Sequence, residues 1–167
     1  MGIEIERKFL VCNDTWRKLA ADRGRAIRQG YLTATQQSTV RVRVIGDEAV
    51  ITIKGKSTGM RRTEFEYPIP MADAELMLTT LCRKPIVDKV RYRIPAGGLV
   101  WEVDDYFGEN AGLVTAEIEL QDESQTFDFP PWLGREVTGT ARYYNSALAR
   151  LPYSKWPAAD RLPVHRD

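Results

Sequence analysis

The sequence predicts a mainly β (α+β) fold: an eight-stranded, antiparallel, closed β-barrel with a charged interior and a few helices packed outside. Three observations predict it. Apolar and polar residues alternate with a period of two along most of the chain. Short turns join many of the alternating segments. Charged residues recur on one face of almost every segment, which indicates a polar side shared by the whole sheet.

Eight segments alternate in the way expected of half-buried strands. They lie at about 3–11, 26–33, 38–45, 48–54, 61–69, 86–95, 99–106 and 113–121. Gly46-Asp47 and Gly97-Gly98 supply the turn residues of two hairpins. The segment 108–112 reads as the loop before the last strand. Strands joined by short connections pair antiparallel, and eight of them can close into a barrel.

Helical signals are fewer. Helices are predicted at about 13–22, 71–81 and 140–151. Gly24 and Pro152 end the first and the third, and Pro70 precedes the second. We assign residues 1–151 to one domain and 152–167 to a C-terminal tail.

Composition excludes several classes of function. The 167 residues carry 24 basic and 23 acidic side chains, a net charge of +1, which argues against binding to nucleic acid or to a membrane surface. The only histidine is His165, so histidine-based catalysis is poorly supplied. Cys12 and Cys82 are too few for a disulfide framework. With a charged N-terminus and no apolar run long enough to span a bilayer, we expect a cytoplasmic protein.

The charged face of the strands carries the most information. Side chains two positions apart share a strand face, so Glu4, Glu6 and Lys8 point together while Ile5 and Phe9 point the other way. The charged face has eight acids: Glu4, Glu6, Glu64, Glu66, Glu102, Asp104, Glu117 and Glu119. It has eight bases: Lys8, Arg41, Arg43, Lys54, Arg62, Lys89, Arg91 and Arg93. Arg7, which falls on the apolar face, is an exception.

An ordinary solvated sheet face is the alternative interpretation of any one of these strands. Along single strands, however, residues two positions apart often carry charge of the same sign. Such neighbours repel one another unless a ligand or metal neutralises them. Carboxylate oxygens select hard cations such as Mg²⁺ or Mn²⁺, whereas arginine and lysine bind phosphate oxygens. Two divalent cations would nearly balance the roughly four to five negative charges of a triphosphate.

The motifs resemble one known family. Glu4-Ile5-Glu6-Arg7-Lys8 matches the ExExK signature of the CYTH superfamily, the triphosphate tunnel metalloenzymes. The resemblance continues in order over about residues 1–150. Its further segments are 28–32, 41–43, 52–54, 62–66, 89–92, 102–104, 117–119 and 132–145.

The resemblance implies a tunnel enzyme that hydrolyses or cyclises triphosphates with Mg²⁺ or Mn²⁺, with two ions expected. The implied metal ligands are Glu4, Glu6, Glu64, Glu117 and Glu119. The implied phosphate-binding residues are Lys8, Arg41, Arg43, Lys54, Arg62, Lys89 and Arg91. Catalysis is assigned to Glu4, Glu6, Lys8, Glu117 and Glu119, while the roles of Glu66, Glu102, Asp104 and Arg142 stay open. The compact chain is similar to the bacterial branch with inorganic tripolyphosphatase activity, whose members often form homodimers.

Other functions remain open from the sequence. The first is a class IV-type adenylate cyclase or a thiamine triphosphatase of the same superfamily. The second is a polyphosphate-binding module without turnover. The paired carboxylates Glu4 and Glu6, with Glu117 and Glu119, argue against the binding module, because polyanion binding alone does not require them. We expect hydrolysis of the terminal phosphoanhydride of a small triphosphate, most simply inorganic tripolyphosphate.

Overall fold

In the described part of the chain, the eight alternating segments and one further segment form nine strands of one antiparallel sheet. The structure, a computed structural model, describes residues 2–56, 58 and 61–161. The strands are β1 (Gly2–Val11), β2 (Arg25–Ala34), β3 (Ser38–Ile45), β4 (Glu48–Gly55), β5 (Arg61–Pro68), β6 (Val87–Ala96), β7 (Leu99–Tyr106), β8 (Val114–Glu119) and β9 (Leu133–Glu136). The first eight correspond to the predicted segments with small differences at their ends.

The sheet closes because β1 pairs along both of its edges. The strand order is β5-β4-β3-β2-β6-β7-β8-β1, and β5 pairs again with β1. On one edge Glu6 lies opposite Glu119 of β8. On the other edge Gly2 lies opposite Glu64 of β5. These pairings confirm the predicted closed barrel of eight antiparallel strands.

The ninth strand was not predicted. It continues the edge of β1 beyond the part that pairs with β5, with Val11 opposite Leu133. Gly134 permits this close approach, because a Cβ atom at that position would lie 2.8 Å from the carbonyl oxygen of Leu10. Four residues are too short a stretch for alternation to reveal a strand.

Of the three predicted helices, one forms as predicted. It is α1 (Met71–Thr80). The first is wrong in type and length: it is a 3-10 helix over Thr15–Leu19, and Asp14 provides no side-chain cap to extend it. The third is wrong in continuity: Tyr144 has extended backbone angles and separates a 3-10 helix, Ala141–Tyr143, from α2 (Asn145–Leu148). Tertiary packing of this segment overrides its local helical preference. Further 3-10 helices are Gly108–Asn110, Tyr153–Lys155 and Ala158–Arg161.

The apolar core lies largely outside the barrel. Phe9 and Trp101, on the outer face of the strands, pack with Trp16 and Trp132 from the connecting segments. A second outer cluster is formed where Leu78 and the rest of α1 cover β3 and β4. Each large apolar side chain that is fully buried contributes about 1.5–3 kcal/mol. Since the outer face holds these clusters, the interior is free to hold charges.

A third cluster closes one end of the barrel. Leu10 and Tyr106 from the strands pack there against Tyr143, Leu148 and Trp156. Trp156 belongs to the predicted tail, whose residues 162–167, including His165, lie outside the described part of the chain. Within the described residues, no helix is long and apolar enough to cross a membrane.

Candidate active site

Fourteen of the sixteen charged residues predicted on the inner face line one cavity of about 1270 Å³. The period of two turns them inward, and the register sets Lys8 opposite Glu117 and Lys54 opposite Glu64. The fourteen are Glu4, Glu6, Lys8, Arg41, Arg43, Lys54, Arg62, Glu64, Glu66, Arg91, Arg93, Glu102, Glu117 and Glu119. Seven are acidic and seven basic, so the cavity can bind cations and anions together.

One cluster joins β1, β4 and β5 around Glu4. The carboxylate of Glu4 accepts hydrogen bonds from Lys54 Nζ at 3.0 Å and from Arg62 Nε at 2.9 Å. Lys54 Nζ also lies 3.1 Å from Oε2 of Glu64. Burial alone would raise the pKa of Glu4, but the charges of Lys54 and Arg62 outweigh it and hold the pKa at about 2. Glu4 is therefore ionised at any ordinary pH.

Glu6 and Glu119 carry charge that the protein neutralises poorly. Glu6 accepts one hydrogen bond, from Arg62 Nη2 at 3.1 Å. Burial and the nearby charges of Glu117 and Glu4 raise the pKa of Glu6 to about 7. Burial and the charge of Glu4 also raise the pKa of Glu119, which has no cation within ion-pair distance among the described residues. A bound cation would relieve both.

The ion pair between Lys8 and Glu117 spans β1 and β8. Nζ of Lys8 lies 2.9 Å from Oε1 of Glu117, and Nη2 of Arg91 lies 3.6 Å from Oε2 of Glu117. Burial opposes both charges, but Lys8 and Arg91 hold the pKa of Glu117 well below its usual range. Glu117 in turn raises the pKa of Lys8 against the effect of burial. Both side chains are charged throughout the physiological pH range.

Arginines dominate another part of the wall, formed by β3, β4 and β5. Arg41 donates to Oγ1 of Thr52 at 3.2 Å, and that hydroxyl donates to Glu66 at 3.0 Å. Arg43 donates to the same carboxylate at 3.4 Å. Burial and the like charges of Arg41 and Arg91 together lower the pKa of Arg43 to about 10, and the charge of Glu66 only partly offsets them. This wall has an excess of positive charge that suits a bound polyanion.

Lys89 and Asp104 are the two inner-face residues that do not line the cavity. Lys89 is 2% exposed and Asp104 is fully buried, and Nζ of Lys89 lies 2.6 Å from Oδ2 of Asp104. Burial lowers the pKa of Lys89, and the negative charge of Asp104 opposes that shift. The ammonium group of Lys89 lies behind the cavity wall in this structure, whereas the sequence predicted it in contact with phosphate.

Two arginines outside the cavity have local explanations. Arg142, whose role the sequence left open, pairs with Asp160 at 3.2 Å and lies 4.0 Å from the ring centre of Trp156. Arg7, the exception on the apolar face, pairs with Glu136 at 2.6 Å and lies over aromatic rings of the outer cluster. Both therefore serve packing and pairing on the outside.

Sequence reasoning missed several cavity residues. Arg83, Tyr144 and Arg150 line the cavity, as does Asn145, which the resemblance only touched. They come from loops and short helices, where no strand alternation assigns a face. Arg83 lies just before β6, and Tyr144 and Asn145 lie within the last motif segment, but no signal in the sequence pointed to Arg150.

The acidic donors fit a hard divalent cation. Glu4, Glu6, Glu64, Glu117 and Glu119 present only oxygen atoms to the cavity, as Mg²⁺ and Mn²⁺ prefer. The uncompensated charge at Glu6 and Glu119 favours a cation there. No three of the described acidic, cysteine or histidine side chains already converge as a ligand set. Ion pairs hold Glu4, Glu64 and Glu117, so metal binding must displace or share those lysines and arginines.

Comparisons with known proteins agree with this geometry. The sequence model of the CYTH domain matches residues 2–147. A protein of Acetivibrio thermocellus named inorganic triphosphatase is 49% identical over 156 residues, which are 93% of this chain and 99% of that protein. A Nitrosomonas europaea protein of the same name is 40% identical over 151 residues, covering 87% and 96% respectively. The crystal structure of an inorganic triphosphatase, NE1496, superposes with a TM-score of 0.64 at 36% identity, covering 89% of this chain and 95% of its own.

Proposed function

The chain belongs to the CYTH domain family, and on that premise we propose that it hydrolyses the terminal phosphoanhydride bond of a triphosphate. Its substrate is inorganic tripolyphosphate, which it converts to pyrophosphate and phosphate. The chain is thus an inorganic triphosphatase, a hydrolase that depends on a divalent metal ion.

One observation carries the proposal: carboxylates and basic side chains from the same strands line a single cavity. A polyphosphate chain needs cations along its length, and its reacting phosphorus needs metal ions held by oxygen ligands. The cavity supplies both within one set of strands. A site built only to bind a polyanion would not place Glu6 and Glu119 among its phosphate-binding groups.

We assign roles by position. The metal ligands are Glu4, Glu6, Glu64, Glu117 and Glu119. The residues that bind the phosphates are Lys8, Arg41, Arg43, Lys54, Arg62 and Arg91. Glu66 orients Arg43 and, through Thr52, Arg41, because its carboxylate accepts hydrogen bonds from Arg43 and from the Thr52 hydroxyl to which Arg41 donates.

The metal is Mg²⁺ or Mn²⁺, and we propose two ions. When bound, they polarise the phosphoryl oxygens and make water a stronger nucleophile. Lys8 and the arginine wall stabilise the charge that develops on the departing pyrophosphate. The described cavity lining contains carboxylates and no histidine, so a carboxylate oxygen accepts the proton of the attacking water.

The decisive assay is phosphate release from tripolyphosphate, ATP and thiamine triphosphate, each with Mg²⁺, Mn²⁺ or EDTA. We expect rapid release from tripolyphosphate that requires a metal and is lost in EDTA. Preference for thiamine triphosphate, or cyclic AMP formed from ATP, would replace the proposal with the corresponding relative activity. Tight binding of all three without turnover would indicate a binding module.

Two features outside the chemistry remain predictions. We propose that the protein acts in the cytoplasm, where its two free and buried cysteines, Cys12 and Cys82, would stay reduced. We also propose a homodimer, which light scattering coupled to size-exclusion chromatography tests directly.

A further inference from the structure

Lys89 is enclosed in a network behind the cavity wall. Its ammonium group donates to Oδ2 of Asp104 at 2.6 Å and to Oδ1 of Asn145 at 3.4 Å. The ring of Tyr106 covers it, with the ring centre 5.5 Å from Nζ. The hydroxyl of Tyr106 donates to the same oxygen of Asn145 at 2.8 Å. The ammonium group is thus enclosed by Asp104, Asn145 and the ring of Tyr106.

Asp104 connects this network to the cavity. Its Oδ1 accepts a hydrogen bond from Nε of Arg91 at 2.7 Å, and its Oδ2 accepts one from Nη2 of Arg91 at 2.8 Å. This two-point contact fixes the plane of the guanidinium group. Unlike Lys89 and Asp104, Arg91 does line the cavity.

The charges of the three residues explain why a buried lysine is needed. Arg91 faces three carboxylates: Asp104, Glu102 at 2.5 Å and Glu117 at 3.6 Å. If Asp104 had no other partner, its full charge would fall on Arg91 and weaken the attraction of Arg91 for phosphate. Lys89 neutralises Asp104 from behind, so the carboxylate can orient the guanidinium group without cancelling its charge.

We infer that Lys89 is a positioning residue, which neutralises Asp104 so that Arg91 remains available to phosphate, and that Asn145 holds it in place. The inference rests on the proposed function, because it concerns the binding of tripolyphosphate at the same site. It assigns to Lys89 an action through Asp104 and Arg91 in place of direct contact with substrate.

Paired substitutions distinguish direct contact of Lys89 with phosphate from an action through Asp104 and Arg91. The affinity for tripolyphosphate is measured by calorimetry in EDTA for the wild type, Lys89→Met and the double variant Lys89→Met/Asp104→Asn. We expect Lys89→Met to lose about tenfold in affinity, since Asp104 then competes with phosphate for Arg91. The double variant removes the competing charge and should recover most of that loss. Lys18→Met, on an exposed residue outside the cavity, controls for loss of a lysine and should bind as the wild type does.

Recovery in the double variant supports the positioning role, because a lysine that touches phosphate cannot be replaced by neutralising its neighbour. A double variant as weak as Lys89→Met, or weaker, would overturn it. If Lys89→Met does not fold, Asn145→Ala is compared in the wild type and in the double variant. We then expect Asn145→Ala to lower the affinity for tripolyphosphate about threefold in the wild type and not at all in the double variant. Equal losses of affinity in the two proteins would contradict the inference.

The outcome is independent of the test of function. Metal-dependent turnover of tripolyphosphate by the wild type tests the activity, whereas these affinities are measured without metal and without turnover. A wild type that binds tripolyphosphate without hydrolysing it would refute the activity and leave the role of Lys89 measurable. A wild type that hydrolyses tripolyphosphate with metal but does not bind it in EDTA would leave the activity standing and overturn the inference, because Arg91 would then not be available to phosphate.

Discussion

Lys8 of β1 lies opposite Glu117 of β8, and Nζ of the lysine is 2.9 Å from Oε1 of the glutamate. Lys8 is 6% exposed, so the pair is largely removed from water. Burying two charges is favourable only when each satisfies the other, and removing one partner leaves an uncompensated buried charge. The pair therefore ties a predicted metal ligand to a predicted phosphate-binding residue in the cavity wall.

The first prediction concerns Glu117→Gln. The amide keeps the shape of the side chain but removes an anionic metal ligand and the charge partner of Lys8. We expect kcat/KM for tripolyphosphate to fall at least about 100-fold, since ligands that bind a metal and orient a substrate are worth several kcal/mol. Steady-state phosphate release measures the effect, and circular dichroism checks the fold.

Glu75→Gln is a suitable control for that experiment. Glu75 lies on α1, pairs with Arg28 at the surface and does not line the cavity. We expect its activity to match the wild type. Full activity of a folded Glu117→Gln variant would contradict the assignment of Glu117 as a metal ligand.

A second prediction concerns Glu119 and metal affinity. Since Glu119 has no cation partner among the described residues, its neutralisation should not expose an unpaired lysine or arginine. Glu119→Gln should weaken Mn²⁺ binding by about tenfold or more while leaving the melting temperature of the metal-free protein unchanged or higher. Titration calorimetry with Mn²⁺ measures both the affinity and the number of ions. Wild-type binding of Mn²⁺ by the variant would remove Glu119 from the ligand set.

The sequence predicted the face of each charged residue but not its depth in the barrel. Lys89 and Arg91 alternate on the same face of β6, and the period of two cannot distinguish them. Their surroundings differ because Lys89 pairs in register with Tyr106 near the closed end, whereas Arg91 lies opposite Asp104 further along. Asn145, which covers the ammonium group of Lys89, lies in a short helix whose position in the fold cannot be predicted from strand alternation. Hence the inner face was predictable, and the enclosure of Lys89 was not.

Local pattern also failed where tertiary contacts decide the backbone. The segment 140–151 has the composition of one helix, yet Tyr143 and Leu148 both enter the cluster that closes the barrel. Tyr144 takes extended angles between them and lines the cavity. The strand β9 is equally dependent on context, because its main partner is the edge of β1 that β5 leaves free. Neither feature has a periodic signal of its own.

The third prediction is a pH dependence of stability in the metal-free protein. The pKa of Glu6 is about 7 in the folded state, against 4.5 for the unperturbed group. Between these values the folded state holds more protons than the unfolded state, so the free energy of unfolding contributed by Glu6 falls as pH rises from about 4.5 to 7. The slope from one group is at most about 1.4 kcal/mol per pH unit.

Urea denaturation of the wild type and of Glu6→Gln in EDTA, at several pH values from 5 to about 7.5, tests this assignment. The variant lacks the titrating group, so its stability relative to the wild type should increase as pH rises. Parallel curves for the two proteins would show that the pKa of Glu6 does not change on folding.

The last prediction concerns the contact between β9 and β1. A Cβ atom on Gly134 would meet the carbonyl oxygen of Leu10 at 2.8 Å, and this oxygen belongs to the backbone of the barrel and cannot rotate away. Gly134→Ala must therefore push β9 outward and loosen Leu133, which is fully buried in the outer cluster. We expect a loss of about 1–3 kcal/mol in the free energy of unfolding. For a chain of this size each kcal/mol lowers the melting temperature by about 2–4 °C.

Gly55→Ala is the matched control, because a Cβ atom there would lie 3.6 Å from its nearest neighbour, an ordinary contact. Equal melting temperatures for Gly134→Ala and the wild type would mean that β9 can move away from β1 without cost, so its packing would not contribute to the stability of the barrel.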